Sequence, residues 1–65
     1  SDSDLDILRS ASELIKQHGD EARIVAALRA DAMLDKGDLE GQRVWLRIAR
    51  AVDQLTAVKE GQTQH

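Results

Sequence analysis

The chain is 65 residues long, contains no cysteine or proline, and carries a formal net charge of −3 at neutral pH. This length allows one small domain near the lower limit for independent folding, and the missing cysteines exclude disulfides and thiolate metal sites. Alanine and leucine are abundant whereas tyrosine and phenylalanine are absent, so the composition predicts an all-α protein.

The first predicted helix covers residues 4–18. Ser3 is its expected N-cap. Apolar residues then recur at the three-to-four-residue spacing of one buried helical face: Ile7, Leu8, Ala11, Leu14 and Ile15. Gly19 suits the left-handed conformation that ends many helices, and Asp20 follows as the expected N-cap of the next helix.

The second predicted helix covers residues 21–36 and is apolar around much of its circumference. Its main apolar face is predicted to consist of Ile24, Val25, Leu28 and Ala32, with further alanines on the remaining sides. A helix of this kind is usually packed between neighbours. We therefore expect it to be the central element of the fold.

A second Gly-Asp pair, Gly37 and Asp38, is expected to end the second helix and cap the third. The third predicted helix covers residues 39–59 and has the clearest apolar stripe in the chain. The stripe consists of Val44, Ile48, Ala51, Val52, Leu55 and Val58. Gly61 is expected to end this helix and residues 61–65 to form a flexible tail.

The predicted fold is a small three-helix assembly with tight Gly-Asp turns, forming a single domain over residues 1–60. The sequence leaves open whether the second and third helices form an antiparallel hairpin or a wider corner. Nine of the apolar residues are alanines, so the core is small. We expect homo-oligomerisation to complete it, with a two-fold dimer favoured.

Five residues near the second turn form the candidate interaction surface. Four lack an obvious partner within the predicted fold and the fifth is the single aromatic residue: Met33, Leu34, Leu39, Leu46 and Trp45. The tryptophan either closes the core beside Ile48 and Val52 or anchors an interface.

Charge is distributed unevenly along the chain. Residues 1–40 carry ten acidic against five basic side chains, and residues 41–65 carry two against four. Asp31 and Asp35 lie four residues apart on the second helix, facing a predicted row of Arg43, Arg47 and Arg50 on the third. We expect the two rows to pair with each other, either within the chain or across a dimer interface.

The same arginine row gives the alternative interpretation, a nucleic-acid-associated regulator, because arginine makes bidentate contacts to phosphate. An acidic pI of about 5.2 and the lack of an aromatic stacking platform argue against nucleic acid.

Other chemistry has little support in the sequence. Acidic residues around the second turn do not match a calcium loop, because Met33, Gly37 and Leu39 stand where oxygen ligands are needed. No Ser-His-acid set is available, and His18 is expected to interact with the carbonyls at the end of the first helix. We predict a non-enzymatic protein without cofactors or metals.

The segment HGDEARIVAALRADAMLDKGDLEGQRVWLRIARAVDQL resembles a family of short uncharacterised bacterial helical proteins, classed as a domain of unknown function. The shared features are a Gly-Asp turn and the Val-Trp helix that follows it, and the resemblance covers residues 14–55. It implies no known activity, and no site residues are transferred from it.

The combined expectation is a cytoplasmic protein that acts through protein contacts, in an adaptor or regulatory role. No apolar run approaches the roughly 20 residues of a membrane span, and no signal-peptide pattern opens the sequence. The expected partners are a second copy of the chain and a further protein that the sequence does not identify.

Overall fold

The computed structural model describes the backbone of residues 4–63 and the side chains of residues 4–57. It contains helix α1 (Asp4–His18), a 3₁₀ turn (Gly19–Glu21), helix α2 (Ala22–Asp35) and helix α3 (Leu39–Thr63). The all-α class is confirmed: in the described part of the chain, every residue outside the turn at 36–38 is helical.

The division into three separate helices needs correction. Helical residues run without a break from Asp4 to Asp35, so the chain consists of two continuous helical runs, and the first is divided only by the 3₁₀ turn. Gly19 has the predicted left-handed backbone, with φ of 59°. Asp20 is not an N-cap, because it lies inside the 3₁₀ turn. The residue before α2 is Glu21, which has a helical backbone and makes no side-chain cap.

The second junction has the predicted stop and cap. Gly37 has φ of 80°, its N–H donates to the Leu34 carbonyl at 2.9 Å, and the Asp38 N–H donates to the Met33 carbonyl at 2.9 Å. This pair of bonds is the Schellman motif, which satisfies the last carbonyls of α2. The Asp38 carboxylate then accepts a bond from the Gly41 N–H at 2.8 Å, as an N-cap does.

The core lies where α1 and α3 meet the inner side of α2. Its buried residues are Ile7, Ala11, Leu14, Ala22, Ala26, Ile48, Ala51 and Val52. The predicted faces of α1 and α3 are largely confirmed by this set. Leu8 and Leu55, at the margins of these faces, are exposed. The predicted cap residue Ser3 and the side chain of Val58 lie outside the described part.

The predicted main face of α2 is wrong except at Val25, which is partly buried against the core. The buried side consists of Ala22, Ala26 and Ala30, whereas Ile24 and Leu28 face away from the core. Alanine has no atoms beyond Cβ, so a face of alanines spaced four residues apart lets α2 approach its neighbours closely. The larger side chains are consequently left on the outer side.

The central element is α3, which packs most extensively against both other helices, and the expectation that the second helix holds this place is wrong. Of the two geometries left open for α2 and α3, the structure has the antiparallel hairpin. Arg23 lies beside Asp53, Arg29 beside Trp45, and the Met33 sulfur beside Gly41. In these three contacts the α2 residue number increases while the α3 residue number decreases, so the two helices are antiparallel. The same contacts define which α2 residue lies opposite which α3 residue.

The end of α3 also differs from the prediction. The helix continues through Gly61 to Thr63, so Gly61 does not end it. The flexibility of residues 61–65 stays a prediction. Residues 64 and 65 lie outside the described part. Proline is absent, and a single glycine costs a helix only about 1 kcal/mol relative to alanine, too little to force a stop.

Candidate interaction surface

A groove with a partly apolar lining lies on the outer side of the α2–α3 hairpin and is called here the hairpin groove. Its apolar lining comes from both helices: Ile24, Ala27, Leu28, Leu46 and Ala49. The groove has a volume of about 430 Å³ and is open to solvent. Its position follows from the alanine face of α2, because the opposite side of that helix carries the larger apolar residues.

The large side chains of the hairpin groove are strongly exposed. Ile24 is 59% exposed, Leu28 62% and Leu46 48%. Single exposed leucines are common on soluble proteins, but several that share one concave surface mark an interaction site. The groove is therefore the strongest candidate for a binding surface among the described residues.

An ion pair closes one end of the hairpin groove. The Arg23 Nε lies 2.9 Å from the Asp53 carboxylate, joining the start of α2 to the middle of α3. Both side chains are at least half exposed, so this pair contributes little to stability, roughly 0–1 kcal/mol.

The two long margins of the hairpin groove carry opposite charges. Asp31 and Asp35 continue the outer side of α2 beyond Leu28, because residues three, four or seven positions apart share a helical face. Arg43 and Arg50 flank Leu46 on α3 in the same way. These four charged side chains are exposed. Apart from the Arg23–Asp53 pair at its end, the α2 margin is therefore acidic and the α3 margin basic.

Pairing within the chain between the acidic and arginine rows, one of the two arrangements expected, does not form. In the described part, Arg47 pairs instead with Asp4 of α1, at 3.0 Å from its terminal nitrogen to the carboxylate. Asp31 and Asp35 are exposed and form no ion pair with the arginine row. Of the predicted arginine row, Arg43 and Arg50 remain beside the groove.

The structure separates the five residues of the predicted interaction surface. Leu34, Leu39 and Leu46 are exposed. Met33 is half-buried with its sulfur close to Gly41, so the expectation that it lacks an internal partner is wrong. Trp45 is half-buried against the core, and the Arg29 guanidinium lies 5.0 Å from its ring centroid. The tryptophan therefore takes the core position that was one of its two predicted places.

Ile24 and Leu28 are the surface residues that the sequence interpretation missed. Their helical spacing predicts a buried face, whereas both are exposed. A signal for the correct face was present in the four-residue spacing of Ala22, Ala26 and Ala30. That spacing describes an equally regular stripe, and only the neighbouring helices decide between the two.

A metal site and a membrane-spanning helix each place a structural requirement on the described residues. Within them, no three histidine, aspartate or glutamate side chains come together closely enough to hold a metal ion. No helix in this part of the chain has the length and apolar character needed to cross a membrane.

Comparison with known proteins gives no relative from which a function can be transferred. No family model, curated protein or solved structure matches the chain. The resemblance to a bacterial family of unknown function stays a prediction, and the function of the chain has to be inferred from its own residues.

Proposed function

We propose that this chain is a small, non-enzymatic protein-interaction module that self-associates through the hairpin groove. The observation that carries the proposal is the exposure of Ile24, Leu28 and Leu46 on one concave surface. An adaptor or regulatory role in the cytoplasm suits a scaffold of this size, in keeping with its composition.

The driving force for association is burial of these apolar side chains. Moving a leucine or isoleucine side chain from water into an apolar environment stabilises a protein by about 1.5–3 kcal/mol. A two-fold dimer buries each of these side chains in both copies, so even partial burial of three residues stabilises the dimer by several kcal/mol. The small residues Ala27 and Ala49 along the groove allow a partner helix to approach closely.

Two serine substitutions test the proposal, with sedimentation equilibrium as the measurement. Leu28→Ser removes an apolar side chain from the hairpin groove, and we expect it to raise the dimer dissociation constant at least about tenfold. Leu5→Ser is the matched control, because Leu5 is 64% exposed on α1 and does not line the groove. It should leave association unchanged.

Either of two results would contradict the proposal. One is a wild-type chain that remains monomeric at about 1 mM, where even weak dimers form. The other is equal weakening by both serine substitutions, which would mean that general loss of surface apolarity, rather than the groove, controls association.

The alternative function is nucleic-acid association through Arg43, Arg47 and Arg50. The exposure of Arg43 and Arg50 beside the groove favours it, whereas the pairing of Arg47 with Asp4 and the net charge of −3 oppose it. Fluorescence anisotropy with a labelled duplex in low salt tests it. Tight binding that weakens steeply with added salt and is lost in Arg43→Gln/Arg50→Gln would replace self-association as the favoured function.

A further inference from the structure

The charged residues along the hairpin groove indicate how two copies are oriented, which the apolar lining alone does not. The acidic margin belongs to α2 and the basic margin to α3, and the two helices run antiparallel. A surface with one acidic and one basic edge is complementary to a second copy of itself in some orientations and repulsive in others. The charge pattern therefore selects among the possible two-fold dimers.

The register of the hairpin determines which residues lie at the same level along the helices. Arg29 lies beside Trp45, and Met33 beside Gly41. Midway between these contacts, Asp31 is level with Arg43.

One turn further toward the start of α2, Leu28 is level with Leu46. Two levels of the outer face thus bring together residues of matching chemistry, an apolar pair at Leu28 and Leu46 and an opposite-charge pair at Asp31 and Arg43.

We propose that two copies dock with α2 of each chain antiparallel to α3 of the other, about a two-fold axis parallel to the helices. This proposal rests on the proposed self-association and specifies its geometry. Such an axis keeps every residue at its own height, so Leu28 of one copy meets Leu46 of the second copy and Asp31 meets Arg43. The four helices form one apolar core, with α1 of each chain on the outside.

The other two-fold arrangements are disfavoured by their charges. An axis perpendicular to the helices places α2 against α2 and α3 against α3. Such an axis also reverses the heights, so at the level of Leu46 it brings Arg43 of one copy opposite Arg50 of the other, and Asp31 no longer meets Arg43. Like charges brought together at an interface oppose association, whereas the parallel axis makes two symmetric pairs of opposite charge.

Mixing two charge-reversed variants tests this geometry. In the Asp31→Lys homodimer, lysine meets Arg43 of the second copy twice. In the Arg43→Glu homodimer, glutamate meets Asp31 twice. We expect each variant alone to dimerise roughly tenfold more weakly than the wild type, because two rim pairs become repulsive.

An equimolar mixture restores opposite charges at both contacts, since lysine at position 31 of one chain meets glutamate at position 43 of the other. The expected result is a heterodimer close to wild-type affinity, measured by sedimentation equilibrium at low salt. Rescue by mixing cannot arise within one chain. Glu13→Lys on α1, an equal change of charge away from the groove, should leave the affinity unchanged. Circular dichroism checks that each variant is folded.

Two outcomes would overturn the inference. If Leu28→Ser abolishes dimerisation but mixing gives no rescue, the groove is the interface and the proposed orientation is wrong, whereas the proposed function stands. If the wild-type chain is monomeric at about 1 mM, the second copy is not the occupant of the groove and both proposals fail.

Discussion

The guanidinium of Arg29 lies over the ring of Trp45, with 5.0 Å between the Arg29 Cζ and the ring centroid. Arg29 stands on α2 and Trp45 on α3, so the contact joins the two helices of the hairpin at mid-height. The indole packs against the core on one side and is covered by the guanidinium on the other. The single aromatic residue of the chain is thereby held within the monomer, away from the hairpin groove.

Removal of this contact should have a measurable but modest effect. We expect Arg29→Ala to lower the free energy of unfolding by about 0.5–1 kcal/mol, the usual value of an exposed cation–π pair. The indole also loses its cover, so the tryptophan emission of the folded protein should move to longer wavelength. Urea unfolding followed by fluorescence gives both quantities, and an unchanged emission maximum would contradict the contact.

Overpacking the alanine face of α2 should be much more costly. Ala26 has no exposed surface, so a leucine at this position must push α1 or α3 away. We expect Ala26→Leu to destabilise the fold by about 1–3 kcal/mol. Ala32→Leu makes the same change at an exposed position of the same helix and is the control, with an expected effect near zero. Thermal unfolding of both variants measures the difference; equal stability would show that the alanine face is not tightly packed.

The N-cap of α3 gives a third prediction. Asp38→Ala removes the acceptor of the Gly41 N–H and should cost about 1 kcal/mol, whereas Asp38→Asn retains an acceptor and should cost less. Gly41→Ala is expected to destabilise the same cap, although alanine is the better helix former. A Cβ at position 41 would lie within 2.5 Å of the Asp38 Oδ2. Urea unfolding checks all three variants, and a gain in stability from Gly41→Ala would contradict the close approach.

The left-handed glycine between α2 and α3 gives a fourth. A Cβ at Gly37 would meet no atom within 4 Å, so the cost of Gly37→Ala comes from its backbone conformation alone. We expect about 1–2 kcal/mol of destabilisation for alanine at φ of 80°. Gly37→Asn should cost less, because asparagine visits this conformation more readily. Equal losses for the two variants in chemical denaturation would argue against a conformational origin.

Features set by neighbouring residues could be predicted from the sequence. Gly37 and Asp38 were recognised as a stop and cap because the chemistry of a Schellman glycine and an N-cap acts within a few residues. The spacing of Ile7, Ala11 and Leu14 likewise defined the inner face of α1. Local chemistry was misleading at Asp20, where a 3₁₀ turn continues directly into α2 and leaves no cap position.

The inner face of α2 and the partners of the charged residues were decided only by the tertiary structure. Both the alanine stripe and the Ile24–Leu28 stripe have helical spacing, so periodicity gives two answers. Close packing against α1 and α3 selects the smaller side chains and turns the larger ones outward, which creates the hairpin groove. Arg47 pairs with Asp4 for the same reason: ion pairs form between side chains that the packing brings together, and residues far apart in sequence meet only when the fold exists.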